Sequence, residues 1–239
     1  MKVTLINYTQ DAASLLLLTK STRLTFSPEL MDKITLMDMR EKLEQLEYIA
    51  NTIPSSWEFV DYVFLVEGVS RAYTHQQVRT RAASYAQQSM RVLEMGEFDY
   101  IYTDENLANP DALKCIKSCL RLIQSHYNEL IALGQAPEDA RGILPTNIAT
   151  NIICKFNLRT FSELAKSRTG GRTQSEYQKV INAMINNVLA VHPWADKFLF
   201  SQQRNYFEEI EAFAKAKFPD LKERGELLKI VDQMRKEKA

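Results

Sequence analysis

The sequence predicts an α+β fold, a central mixed or antiparallel sheet flanked by long helices, and three observations lead there. Short β-rich runs recur at 2–8, 58–67 and 146–156. Longer stretches of helical periodicity separate and follow them. An apolar fraction of 45% in 239 residues suffices for a sizeable core in one large domain or two small ones.

Residues 2–8 (KVTLINY) alternate and are rich in β-formers, which predicts a strand. Pro28 opens a long helix to about residue 53, because Leu30, Ile34, Met37, Leu43, Leu46 and Ile49 recur near helical spacing, and Pro54, Ser55 and Ser56 end it. The aromatic and β-branched run 58–67 (EFVDYVFLVE) is a central strand. Gly68 breaks it before a short helix carrying Arg71, His75 and Gln76. Residues 97–105 (EFDYIYTDE) return as a strand, and Asn109-Pro110 opens a helix from about 111 to 133 with Leu113, Ile116, Leu120, Ile123 and Leu130 inward. After Pro145, β-branched residues predict a strand to about 156, and Asn157 caps a helix to about 167. Thr169-Gly170-Gly171 interrupts, and helix resumes from Gln174 to Val191 before His192-Pro193. The whole chain, 1–239, reads as a single domain whose charged tail, from about 205, is a solvated or partner-packing helix rather than a nucleic-acid-binding one.

Thirty basic and thirty acidic residues cancel, so recognition of an anion must be local, and a nucleotide pocket fits better than a nucleic-acid groove. Cys115, Cys119 and Cys154 form no CxxC pair, and their odd number suits a reducing compartment without disulfides. Cys115 and Cys119 share a helix face and are expected as small buried apolar side chains, so no metal site is assigned. No run, LLLL at 15–18 included, approaches a bilayer span, and the first residues lack a secretory pattern. No membrane partner is therefore expected, and residence in the cytoplasm, of a bacterium or of a virus-infected host, is.

The richest local signal is RTRAASYAQQSMR at 79–91, which sets Arg79, Arg81 and Arg91 among Thr80, Ser84 and Ser89 without one acid. Arginine presents a planar fork of donors that matches phosphate, and a serine hydroxyl with adjacent N–H groups completes a cradle. A solvated basic face is the plainer alternative, but the preceding run YVFLVEGVSRAYTHQQV starts the arginines beside the interior.

RTR, seven residues, then Ser89 resembles the RHR-x7-S signature of the flavin-dependent thymidylate synthases, the ThyX class, with Thr80 in place of His. EGVSRAYTHQQVRTRAASYAQQSMR is similar to that family's GxSRxxxHxxxRHRxxSYxQxSxRY block. ARGILP (140–145) resembles ARxxLP, and NLRTFSELAKSR (157–168) resembles the family's N-x-R followed nine residues later by another Arg. STRLTF (21–26) is a weaker echo of AxRxSF, and Glu58 stands where a family glutamate is expected.

The resemblance implies a ThyX-like fold and C5 methylation of dUMP, with FAD as cofactor, methylenetetrahydrofolate as carbon donor and NADPH as reductant. It also implies a homotetramer with shared active sites. Carried over by motif position, Gln76, Arg79, Gln87, Ser89, Arg91, Arg141 and Arg168 would hold the nucleotide, Ser89 and Arg91 at its phosphate. Arg168 and Ser89 are the catalytic candidates, and Arg168 would meet the uracil edge and stabilise charge developing on N3 and O4. Ser55, Arg79, Thr80, Arg81, Asn157, Arg159 and Glu163 would contact FAD. Glu58 is compatible with orienting the donor or with plain solvation, and His75 with structural bonding or with site support.

The departures are as specific as the matches. Thr80 and Ile53 replace expected histidines, Val92 replaces a tyrosine, and Arg172 lies near where another histidine is expected. Glu163 brings a carboxylate close to the flavin position, where it would disfavour an anionic reduced ring unless Arg172 or another cation pairs with it. Two rival functions stay open: a flavin-dependent C5 methylase or hydroxymethylase of UMP or dCMP, and a catalytically lapsed nucleotide-binding protein on the same scaffold.

Overall fold

The computed structural model describes residues 1–52, 54–91, 97–200, 206–217 and 221–238, which form two compact units, Met1–Phe200 and Ser201–Ala239. In the first, strands β1 (Lys2–Tyr8), β2 (Asp61–Ser70), β3 (Ala83–Gln87) and β4 (Ala149–Asn157) make one sheet in the order β1-β2-β4-β3, every pair antiparallel. The sheet is thus antiparallel, one of the two arrangements expected. Alternation decides which face is buried: Tyr62, Phe64 and Val66 of β2 lie opposite Phe156, Cys154 and Ile152 of β4, and all six are buried.

Helices α1 (Ala12–Leu24), α2 (Leu30–Leu36) and α3 (Met39–Thr52) follow β1. The sequence reading assigned no helix to 12–24, yet Ala12, Ala13, Leu16 and Leu17 are buried there, so the LLLL run is core. The single helix expected from Pro28 is two. Met37 is extended, and Asp38 restarts the chain with a capping box: its carboxylate accepts from the Glu41 N–H at 2.8 Å and the Glu41 carboxylate from the Asp38 N–H at 3.3 Å.

The expected start of the second strand at 58 is also corrected, because Pro54–Phe59 is a 3-10 turn. Nor does Gly68 end β2: at φ 65 it allows a bulge between Val66 and Val69, and the strand runs on to Ser70. Ser70 caps α4 (Arg71–Gln77) by accepting from the Tyr73 N–H at 3.0 Å.

Of the strand expected over 97–105, only a bridge between Tyr100 and Ile148 forms, because Thr103 and Asn106 close a capping box that starts α5 (Asp104–Ala108). Helix α6 (Pro110–Ala132) buries Leu120 and Tyr127 but only half-buries Leu113, Ile116, Ile123 and Leu130. Cys115 and Cys119, expected to be buried, are exposed on its outer face, whereas Cys154 is buried with its thiol pushed up to about 12. After the single turn α7 (Pro137–Ala140) and β4 come α8 (Leu158–Arg168), α9 (Ser175–Val191) and α10 (Asp196–Leu199). Phe161, Leu164, Val180, Ile181, Met184 and Val188 of α8 and α9 join the buried sheet face in one core. The second unit holds α11 (Tyr206–Lys217) and α12 (Leu221–Lys238).

Candidate active site

The first turn of α9 is tied to both ends of α4, and this frame carries the candidate side chains. The Ser70 N–H and hydroxyl both donate to the Glu176 carboxylate, at 2.7 and 2.5 Å. Gln76 donates its amide to the Gln174 side chain, and the Tyr73 and Tyr177 rings meet edge to face at 5.2 Å. Such a latch fixes where α4 ends, and so where the chain turns into Arg79, Thr80 and Arg81. That turn is pinned from below by the Tyr85 hydroxyl, which donates to the carbonyls of Gln77 and Thr80, both at 2.9 Å. Arg79 and Arg81 therefore sit in a turn ahead of β3, and both are exposed. Among the described residues neither forms an ion pair.

Beyond β3 a second group gathers. Gln87 donates to the hydroxyls of Thr74 at 2.8 Å and Thr150 at 3.4 Å, which orients its amide. The Ser89 hydroxyl accepts from the Arg91 N–H at 3.2 Å, folding the segment so that both side chains leave one small turn. Arg91 pairs with the Glu138 carboxylate at 2.8 Å, and Arg141 donates to the Glu138 carbonyl at 3.1 Å. Arg71, absent from the expected binding set, belongs here: it donates to the Gln88 carbonyl, its Nε is buried without a partner, and burial and the Arg141 charge lower its pKa. The motif SR at 70–71 was the available signal for it. Ser89, Arg91 and Arg141 are thus brought together through Glu138, while Gln87 is bonded to Thr74 and Thr150 and Gln76 to Gln174.

Arg168 ends α8 with its guanidinium carbon 5.3 Å from the centre of the Tyr177 ring. Its Nε and the Tyr177 hydroxyl are buried without hydrogen-bond partners. Of the five such side-chain atoms among the described residues, three belong to Arg71, Arg168 and Tyr177. Buried polar groups left open in this way mark a place where a polar ligand can bind.

The residues expected at the flavin are more dispersed. Asn157 spends its side-chain oxygen capping α8 through the Thr160 N–H at 2.8 Å. Ser55 accepts from Arg23 at 2.8 Å, which brings the STRLTF segment to the 3-10 turn. Arg159 lies between Glu58 at 2.7 Å and Glu163 at 3.5 Å, and the hydrogen bond to Glu58 is the main cause of its raised pKa. The cation that pairs with Glu163 is therefore Arg159, and Arg172 is exposed elsewhere. Glu163 and Arg168, about 140° apart around the helix, face different neighbours, Arg159 and Tyr177. His75 is exposed. Ile53 and Val92, two positions where the sequence departs from the signature, lie outside the described residues.

Comparison with known proteins decides the family. The family model described as thymidylate synthase complementing protein matches residues 4–194. The chain belongs to the flavin-dependent thymidylate synthase family. Relatives of that name include one from Nitratidesulfovibrio vulgaris, 31% identical over 75% of this chain and 79% of that protein, and one from Pyrococcus furiosus, 31% identical over 79% of each. The same fold is found in the ThyX of Helicobacter pylori, solved with FAD and dUMP, at TM-score 0.64 and 19% identity over 84% of this chain and 98% of that one. It is found again in PolB of Streptomyces cacaoi, a UMP/dUMP methylase solved with 5-Br dUMP, at TM-score 0.70 and 18% identity over 82% of this chain and 94% of that one. This member of the thymidylate synthase family is thus a flavin-dependent methyltransferase of α+β fold. Among the described residues, no helix is long and apolar enough to cross a membrane, and no cluster of three metal-ligating side chains occurs.

Proposed function

We propose that this chain converts dUMP to dTMP, with methylenetetrahydrofolate as carbon donor, NADPH as reductant and FAD bound in the site. The observation that carries this reading is the linked group Ser89, Arg91, Glu138 and Arg141, with Arg71 bonded to the Gln88 carbonyl and Gln87 held by Thr74 and Thr150, in a chain of this family. Arg91 with Ser89 would bind the phosphate and Arg141 would flank it. Gln76 and Gln87, both held by hydrogen bonds, would fix the nucleoside. Arg168 would meet the pyrimidine edge, where its charge gains most as N3 and O4 become negative in the transition state.

The donor set fits FAD. Arg79 and Arg81 are exposed guanidiniums without ion pairs among the described residues, the group that pairs with a pyrophosphate, and Thr80, Asn157, Ser55 and Arg159 with Glu163 offer further polar contacts. When bound, the flavin supplies the hydride that reduces the transferred carbon. The protein's part is to hold donor and acceptor against it. Because these arginines are exposed, we infer that a second copy covers them, in a homotetramer whose sites draw on more than one subunit. The family's nucleotide chemistry is carried out in the cytoplasm on this reading.

The decisive experiment is product analysis by mass spectrometry after incubation with dUMP, UMP and dCMP in turn, with methylenetetrahydrofolate, NADPH and FAD. Methylated dUMP as the main product is expected. Methylated UMP or dCMP in its place would reassign the acceptor, and no product with a protein that fails to retain FAD on gel filtration would overturn the reading.

A further inference from the structure

We propose that Tyr177 is a positioning residue for Arg168, its ring carrying the guanidinium and its hydroxyl linking Arg168 Nε to the Thr80 side chain when a nucleotide occupies the site. The inference rests on the assignment of Arg168 to the pyrimidine edge. Tyr177 is fully buried one turn into α9, just past Gln174, the partner of Gln76, and Glu176, the partner of Ser70. It therefore cannot move without disturbing the latch that sets the Arg79-Thr80-Arg81 turn.

Three features make the side chain more than packing. The Arg168 guanidinium lies over its ring, 5.3 Å from the centre. Both the Arg168 Nε, a donor, and the Tyr177 hydroxyl, a donor and acceptor, are buried with no hydrogen bond, a costly state for two neighbouring groups that can satisfy each other. Burial raises the phenol's pKa, opposed by the Arg168 charge and by the Thr80 and Arg168 side chains as hydrogen-bond partners, so these are the groups its oxygen faces, short of full hydrogen-bond geometry. Joining Nε–H to the phenol oxygen, and the phenol O–H to the Thr80 hydroxyl, satisfies both orphans at once. It also turns the two Nη groups of Arg168 outward as a fixed fork. A nucleotide that engages those Nη groups and the turn at Thr80 selects that arrangement. The position where the signature histidine is absent thereby stays coupled to the pyrimidine side of the site.

Tyr177→Phe, which keeps the ring, and Thr80→Val, which keeps the shape, separate the parts. Each is expected to lower kcat for dUMP by about tenfold or more while changing nucleotide affinity, read by calorimetry, less than about threefold, because the lock acts on orientation in the transition state. The double variant should be no slower than the slower single one, since one chain of hydrogen bonds is broken either way. Arg168→Lys should erase the effect of Tyr177→Phe, having no Nε–H in that place. Melting temperature reports whether Tyr177→Phe remains folded. Wild-type turnover in Tyr177→Phe, or losses that multiply in the double variant, would overturn the inference alone. Absence of turnover by the wild type with every nucleotide would overturn the assigned reaction, and the inference with it.

Discussion

Glu138 occupies Arg91: its carboxylate sits 2.8 Å from the guanidinium Nε while its own carbonyl accepts from Arg141 at 3.1 Å. A carboxylate thus stands where an incoming phosphate would seek the same donors. At this exposure an ion pair contributes little to stability, so the residue is better understood as a competitor and a spacer than as a structural bridge.

Replacing Glu138 by Gln should tighten dUMP binding by up to about fivefold, the equivalent of a surface ion pair no longer in competition, and leave deoxyuridine binding unchanged. Arg91→Ala should weaken dUMP by roughly 2 to 3 kcal/mol, the scale of a charge-assisted hydrogen bond. Calorimetry with nucleotide and nucleoside distinguishes these. Equal effects on both ligands would show that neither side chain meets the phosphate.

Glu163 lies at the end of a chain of charges, Glu58 to Arg159 to Glu163, of which the second contact is the longer at 3.5 Å. Glu163→Asn leaves Arg159 held by Glu58 and removes one negative charge beside the proposed flavin site. The midpoint potential of bound FAD should rise, because an anionic reduced ring is less opposed, while thermal stability stays unchanged. Spectroelectrochemistry of the reconstituted variant measures it; a potential identical to the wild type would make Glu163 a surface residue only.

Three of the four strands and the two helices after Asn157 were legible because each carries its signal locally: alternation in 2–8, β-branched residues in 58–67 and 146–156, an asparagine cap at 157, glycines at 170 and 171; β3 was not read as a strand. Two of the failures share a cause, which is that short-range capping outweighs average periodicity. Asp38 with Glu41 divided the expected helix, and Thr103 with Asn106 converted a β-rich stretch into a helix start. The ordered motifs named the arginines, since spacing is a property of sequence. What spacing could not give was partnership: that Arg91 faces Glu138, that Arg159 rather than Arg172 meets Glu163, or that Tyr177 underlies Arg168. Arg91 and Glu138 stand 47 residues apart, Arg168 and Tyr177 lie on successive helices, and Arg159 with Glu163 is an i,i+4 pair of α8 whose partner choice depends on which way the helix faces.

His192 closes α9 inside an aromatic cage, with Nδ1 3.0 Å from the Tyr62 hydroxyl and Tyr8 and Trp194 against its ring. Burial lowers its pKa below the usual 6.5, opposed by a hydrogen bond with the Gln10 backbone. The unfolded chain therefore binds this proton more readily than the folded one, so the contribution is fully present above about pH 6.5 and is lost as pH falls through that value toward the lower folded pKa. Denaturant unfolding from pH 7.5 to 5 should show stability falling with acid, and His192→Asn should be less stable at pH 7.5 but with a shallower slope. An unchanged slope would remove His192 from the acid response.

Arg168 offers the sharpest test of the site because holding the nucleotide and polarising its base have separate signatures. On the proposed reading, Arg91 and its neighbours recognise the phosphate, about a charge-assisted hydrogen bond each, so Arg168→Ala should leave dUMP binding within about threefold of the wild type. The pyrimidine edge acquires negative charge only as C5 attacks, so an arginine there acts mainly on the transition state, and Arg168→Ala should depress kcat by about a hundredfold or more. Arg168→Lys keeps the charge but loses the planar fork and the Nε–H above the Tyr177 ring, so it should recover only part of that rate. Rapid-quench measurement of dTMP formation, beside calorimetric binding of dUMP to each variant, gives both quantities. If Arg168→Ala loses affinity and rate in equal proportion, the residue binds the ground state as strongly as the transition state, and its role is to hold the nucleotide rather than to polarise the base.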